Sequence, residues 1–207
     1  MRDPQLTEVS DFRPKQTSRA KSILREILET LILTAVIFFL VNTVTGRFKI
    51  YGASMDNTFH NGEYIIVSRL AYQFGEPQRG DVVVFVPPGH PEATFTERLL
   101  GIPGETDFIK RIVGLPGDVV KIENGQVLVN GVALNEPYIK EPMFSYQSQE
   151  WALGLNQYFA LGDNRNFSKD SRDPAVGPIE GSRIVGKVWV VYWPMSDWKV
   201  VEHYQYP

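Results

Sequence analysis

The sequence predicts a mainly β protein, an antiparallel β-sheet domain behind one N-terminal transmembrane helix. Three observations carry this. From Thr30 to Gly46 run 17 residues without a charge, TLILTAVIFFLVNTVTG. Beyond them, short segments rich in Val, Ile, Phe and Tyr recur between turn residues, with 17 Gly and 14 Pro in the chain as punctuation. No helical periodicity of comparable length follows residue 46.

The first element is the apolar run. At 1.5 Å per residue it spans about 26 Å, near the lower limit for a bilayer core of ~30 Å. Residues 12–25 carry five positive charges (Arg13, Lys15, Arg19, Lys21, Arg25) and no acid, whereas only Arg47 and Lys49 lie close downstream. The positive-inside rule then assigns residues 1–25 to the cytoplasm, 26–46 to the anchor and 47–207 to the far side of the membrane. This is a single-pass arrangement with a cytoplasmic N-terminus, in the plasma membrane or an internal membrane such as a thylakoid. A cleavable signal peptide or a buried core helix is the alternative. The run exceeds the usual 7–15 apolar residues of a signal peptide, and Val44-Thr45-Gly46 is a poor cleavage site.

The strands follow in order. Arg47–Gly52, Glu63–Leu70, Asp81–Val86 and Phe108–Val113 have strand composition. Val119–Ile122 and Val127–Val129 flank Asn124-Gly125, a hairpin turn in which both central residues accept positive φ, and a second Asn-Gly stands at Asn130-Gly131. Gln157–Leu161 and Ile184–Trp193 complete the set. Pro87–Glu105 and Glu136–Leu155 are expected as loops. The second holds Tyr138, Phe144, Tyr146 and Trp151, which either touch lipid headgroups or pack back on the sheet.

Composition excludes several functions. The chain has 207 residues and a net charge of −3, which argues against nucleic acid as a partner. It has no cysteine, so thiolate metal sites, disulfides and cysteine nucleophiles are excluded, and its three histidines offer little for a metal centre. No cofactor or metal is expected.

Three segments carry more polar chemistry than packing requires. Tyr51 to Phe59 places Ser54 after small residues, where a substrate backbone can approach its hydroxyl. In Phe108–Asp118, Lys110 and Arg111 alternate in a strand-like run, so they point to opposite faces. If Arg111 faces solvent, Lys110 is forced out of water, its pKa falls, and its amine becomes a candidate general base. The reverse arrangement, a solvated Lys110 with Arg111 inward in an ion pair, is equally consistent with alternation. Gly162–Asp173 concentrates Asp, Asn, Arg and Ser in one loop, as a hydrogen-bonded network does. It fails as a calcium loop: counting from Asp163, Arg165, Phe167 and Pro174 stand where oxygen ligands are needed.

Ser54-Met55, Arg79-Gly80-Asp81-Val82-Val83, Lys110 through Asp118, and Gly162-Asp163-Asn164-Arg165 through Asp170-Ser171-Arg172 together resemble the sequence boxes of bacterial type I signal peptidases. They occur in that family's order behind one anchor, and the likeness covers roughly residues 25 to 195. The resemblance implies a membrane-bound serine endopeptidase that removes signal peptides from exported preproteins with small residues at −1 and −3. It implies Ser54 as nucleophile, Lys110 as general base, Ser168 as the hydroxyl that orients Lys110, and an Asp170–Arg172 pair holding the loop. Ile50, Met55, Ile65 and Ile109 are the expected walls of shallow substrate pockets. An extended substrate would lie between Lys49–Ala53 and Asp107–Lys110. The Ser54 N–H is the expected oxyanion donor, since Gly52 replaces a hydroxyl that some relatives place two residues before the serine.

The chain departs from the family pattern in two places. Asn57 and Phe59 stand where a proline and a leucine are usual, and Phe167 replaces an asparagine. The competing readings are a membrane-anchored β module that binds without cutting, an inactive family member, or a self-cleaving Ser/Lys peptidase of the repressor type.

Overall fold

The computed structural model describes residues 19–102, 107–144 and 147–206. The leader and the charges Arg13 and Lys15 lie outside them, as do Tyr146 and the end of the first predicted loop. The chain divides into two units, residues 1–38 and 39–207.

The first element, α1, is a helix of 26 residues, Arg19–Val44. It begins earlier than the predicted anchor, because Arg19, Lys21 and Arg25 continue the helical run upstream of residue 26. Its apolar side chains, including Ile27, Leu31, Val36 and Leu40, are exposed, and the helix is long and apolar enough to cross a membrane. Thr30 and Thr34 donate their hydroxyls to the carbonyls four residues back, each at 2.8 Å, so these polar groups are satisfied within the helix.

The second unit is built from antiparallel strands. They are β1 Thr45–Lys49, β2 Tyr64–Ser68, β3 Val82–Phe85, β4 Phe108–Gly114, β5 Val119–Glu123, β6 Gln126–Val129, β7 Val132–Ala133, β8 Gln149–Ala152, β9 Gln157–Leu161, β10 Ile179–Glu180, β11 Ile184–Trp193 and β12 Lys199–Val200. The larger sheet runs β1-β2-β11-β3-β4-β9-β10, with β12 on β11. A smaller one runs β7-β6-β5-β8. The mainly antiparallel β fold behind one apolar helix is the one the sequence predicts.

Both Asn-Gly turns form as expected. Asn124 and Gly125 take φ of 52° and 75°, and Asn130 and Gly131 take 52° and 82°. Two predicted loops hold more structure than their composition signalled. In the first lies α2, Phe95–Leu100, whose Thr94 and Glu97 form a reciprocal capping box and whose Gly101 closes it in the left-handed conformation. The second contains β8, which pairs with β5 from Val119↔Ala152 to Ile122↔Gln149. A sequence such as QEWA lacks the alternation that marks a strand, and its pairing partner supplies the order instead. The aromatics there pack inward in two cases: Trp151 lies 4.7 Å from Phe159 and Tyr138 5.1 Å from Tyr204, ring to ring, while Phe144 is exposed.

The main sheet is covered on both faces. In β3, Val82 and Val84 join a cluster with Phe48, Met55, Phe59 and Ile65, while Val83 and Phe85 join another with Ile112, Ala160 and Ile179. Alternate residues of one strand thus enter two cores, so all four are buried. A strand beside β3 has no solvent face to offer a charge, which sets the terms for β4.

Candidate active site

β4 lies between β3 and β9, and its register differs on the two sides. Along β3 it pairs from Phe108↔Phe85 to Arg111↔Val82. Pairing with β9 begins at Arg111↔Leu161. Because β9 ends at Leu161, the polar loop that follows it emerges beside Lys110 and Arg111. Residues 108–110 keep an edge that no strand occupies among the described residues.

Lys110 and Arg111 are both 3% exposed. The expectation that Arg111 would face solvent is therefore corrected, and so is its reverse, in which Lys110 would. Covering both sheet faces buries the two cations together, and each is handled differently. Arg111 is neutralised by Asp163, Nε to Oδ1 at 2.9 Å and Nη2 to Oδ2 at 2.7 Å. It also lies 4.0 Å from the centre of the Tyr138 ring. Among the described residues Lys110 has no carboxylate within ion-pair distance. Its Nζ lies 2.8 Å from Ser54 Oγ and 2.7 Å from the Ile109 carbonyl. Burial pushes the Lys110 pKa down to about 8, against the opposing pull of Asp170 and Asp163. At pH 7 that leaves about a tenth of the amine neutral.

Ser54 sits in a tight turn after β1, closed by Asp56 N to Ala53 O at 3.1 Å and Phe59 N to Met55 O at 2.8 Å. Met55 and Phe59 are buried in the core and pin this turn from below. Met55 is thus a core residue and not a pocket wall, which corrects its predicted place. Phe59 likewise fills the core and leaves the neighbouring groove untouched. The loop after β9 clamps the turn from the other side: Asn164 N donates to Ser54 O at 3.1 Å, and Asn164 Nδ2 to Ala53 O at 2.9 Å. Asp163, besides pairing Arg111, accepts the Thr58 hydroxyl at 2.5 Å. The Ser54 N–H makes no hydrogen bond among the described residues.

Asp170 and Arg172 form a two-pronged buried pair, with Nε to Oδ1 and Nη2 to Oδ2 both at 2.8 Å. Asp170 Oδ2 also accepts the Gly162 N–H at 3.0 Å. Ser168 is placed against Gly162, but its buried hydroxyl has no hydrogen-bond partner among the described residues, and the Ile109 carbonyl takes the second position on Lys110. Arg165, also in this loop, is held by Glu136 at 2.7 and 2.6 Å. Nothing in the sequence around Glu136 signalled that partnership, because it joins segments 29 residues apart.

A groove of about 800 Å³ opens on Ser54 and Lys110. Ile50, Ile65 and Ile109 line it, as expected, with Asp107 at one rim. Among the described residues no cluster of His, Asp or Glu could hold a metal ion. The arrangement offers a hydroxyl, a buried amine of lowered proton affinity, an unpaired backbone N–H and an apolar groove. These are the parts that amine-assisted acyl transfer requires.

Residues 23–193 match the family described as signal peptidase, peptidase S26. Signal peptidase IB of Staphylococcus aureus strain COL is 34% identical, with 84% of this chain and 94% of that protein covered. Signal peptidase I of Leptolyngbya laminosa is also 34% identical, covering 86% of this chain and 84% of that protein. A crystal structure of a signal peptidase I from Enterococcus faecalis V583 aligns at 26% identity with a TM-score of 0.41, over 54% of this chain and 96% of that one. The chain belongs to the signal peptidase family of serine peptidases, peptidase S26.

Proposed function

We propose that this chain is a membrane-anchored endopeptidase that removes signal peptides from exported preproteins, with Ser54 as nucleophile and Lys110 as general base. The observation that carries the reading is the 2.8 Å contact between Ser54 Oγ and a buried Lys110 Nζ whose pKa falls to about 8. Neutral Lys110 takes the Ser54 proton as Oγ attacks the scissile carbonyl. The resulting ammonium passes that proton to the leaving amine, and the acyl-enzyme is then hydrolysed by water activated in the same way. The Ser54 N–H donates to the tetrahedral oxyanion. Ser168, whose hydroxyl has no partner among the described residues, orients Lys110 once substrate excludes water. Asp170 and Arg172 hold the loop that carries Ser168.

The open edge of β4 at residues 108–110 supports an extended substrate that adds a strand between Lys49–Ala53 and Asp107–Lys110. Ile50, Ile65 and Ile109 then leave room only for small side chains at −1 and −3. The apolar α1 and the family support membrane anchoring, with residues 1–25 cytoplasmic, 26–46 spanning and 47–207 on the outer side. The anchor confines the groove to the surface where preproteins emerge and raises their effective concentration.

The test is cleavage of a purified preprotein by the full chain in detergent across pH 6 to 10. Between pH 7 and pH 9 kcat/KM rises about tenfold and then levels, following the neutral fraction of an amine near 8. Ser54→Ala and Lys110→Arg remove cleavage, since a guanidinium stays protonated throughout. Cleavage that survives Ser54→Ala, or a profile flat in pH, overturns the assignment.

A further inference from the structure

We infer that Arg47, Arg69 and Arg98 form, around Asn42, a binding site for the phosphate of an anionic phospholipid headgroup. Asn42, in the last turn of α1, is 2% exposed although it is polar. Its Oδ1 accepts from Arg47 Nη2 at 2.9 Å. Its backbone carbonyl accepts from Arg69 Nη1 at 2.6 Å, and the same nitrogen lies 3.4 Å from the Arg98 carbonyl. Two glycines make this crowding feasible. A Cβ on Gly101 would come within 2.9 Å of both Arg47 Nη2 and Asn42 Oδ1, and one on Gly46 within 3.4 Å of Arg69 Nε and Nη2.

No carboxylate among the described residues lies within ion-pair distance of Arg47 or Arg69, and Arg98 reaches only the exposed Glu92, at 3.3 Å. Asp107 is near Arg69 and Arg98 but outside ion-pair distance, and burial raises its pKa. Burial and the neighbouring Arg98 also oppose the charge on Arg69. Two buried donors, Asn42 Nδ2 and Arg69 Nε, have no acceptor among the described residues. Capping the last carbonyls of α1 explains Arg69 Nη1, and a cation there is favourable. Capping does not explain the two unpaired donors or the third cation. A group with several oxygens and a negative charge suits the guanidinium cluster, and a phosphate diester presents two such oxygens to a guanidinium fork.

The source of that phosphate follows from chain position. Arg47 is exposed and stands three residues after α1 ends. If α1 spans the bilayer, a premise this inference takes from the proposed function, its last turn lies at the polar edge where lipid phosphates sit.

The experiment is native mass spectrometry of the full chain in neutral detergent, offered equal amounts of phosphatidylglycerol and phosphatidylcholine. Wild type retains one phosphatidylglycerol in preference. The Arg47→Gln, Arg98→Gln double variant, which leaves the Arg69 cap in place, loses about tenfold in apparent affinity for it. Arg47→Lys, which keeps the charge without the fork, loses less. Unchanged retention by the double variant at an unchanged unfolding temperature overturns the site, as does equal retention of the two lipids by wild type. Displacement of the lipid by equimolar inorganic phosphate overturns the lipid assignment in favour of a free anion. Should the double variant unfold early, Arg98→Gln alone gives the same reading from the surface of α2. Flotation with pure phosphatidylcholine vesicles tests the anchor separately: a chain that fails to float contradicts the anchor, while the detergent measurement still decides the site.

Discussion

Arg111 and Asp163 form a buried two-pronged ion pair that ties the middle of β4 to the loop after β9, with nitrogen–oxygen distances of 2.9 and 2.7 Å. The same carboxylate accepts the Thr58 hydroxyl from the turn that carries Ser54. One carboxylate thus fixes the strand of Lys110 and the turn of Ser54 in a common frame.

Removing half of that pair strands a charge in the interior, which costs about 3–5 kcal/mol. Asp163→Asn is therefore expected to lower the unfolding free energy by that order and to abolish cleavage together. Replacing both partners by apolar residues of similar size, Arg111→Met with Asp163→Leu, removes the stranded charge and recovers much of the stability. It does not restore the Thr58 contact, so cleavage stays lost. Denaturant unfolding and preprotein cleavage, measured on the same samples, separate the two effects. Recovery of both by the double variant would show that the pair serves stability alone.

How far the sequence reveals this site depends on the range of each interaction. The Asn-Gly turns are local, and so they read correctly. Lys110 and Arg111 did not: alternation places neighbours on opposite faces, and it takes the second layer over β3 and β4 to show that both faces are dry. Met55 looked like a pocket wall because it adjoins Ser54, yet the tight turn sends its side chain into the core. Glu136 was invisible, for its value lies in meeting Arg165 across the fold. The short α2 carries a capping box that could have been read from Thr94-x-x-Glu97, hidden within a segment taken as loop because of its prolines.

The lowered Lys110 pKa also predicts a pH-dependent stability. The folded value is about 8, against 10.5 for an ordinary lysine. Below pH 8 both states hold the proton, and the group adds no pH dependence. Between the two values the unfolded chain binds more protons than the folded one, so stability rises with pH through that window, by about 3 kcal/mol in all. Lys110→Met lacks this rise. The check is the difference in unfolding free energy between wild type and Lys110→Met from pH 7 to pH 10.5, and a constant difference would contradict a desolvated amine.

Asn57 is the residue that replaces a family proline, and its backbone shows what that replacement permits. Its φ is +89°, and its Nδ2 donates to the Tyr138 carbonyl at 3.0 Å. Proline holds φ near −65°, so Asn57→Pro forces the Ser54 turn out of its present path. Glycine accepts the positive φ and loses only the side-chain bond. Asn57→Gly is expected to keep most cleavage activity and to cost about 1 kcal/mol, whereas Asn57→Pro lowers both stability and kcat. A proline variant as active as wild type would mean that the turn relaxes freely.

Gly162 offers the narrowest test, because it concerns space and not charge. Its Cα faces the Ser54 carbonyl and the Ser168 side chain so closely that an added methyl would overlap both. Ser168 can yield by changing rotamer, but the Ser54 carbonyl is backbone, already held by the Asn164 N–H at 3.1 Å. Gly162→Ala must therefore push the Ser54 turn away from Lys110. Overpacking of this kind costs about 1–3 kcal/mol in stability, and a displacement near 1 Å costs about a hundredfold in rate. The expected result is a folded enzyme whose kcat falls about a hundredfold while KM changes little, since Ile50, Ile65 and Ile109 stay in place. A Gly162→Ala variant with kcat near wild type would mean that the Ser54 turn yields to the methyl without moving the serine hydroxyl away from Lys110.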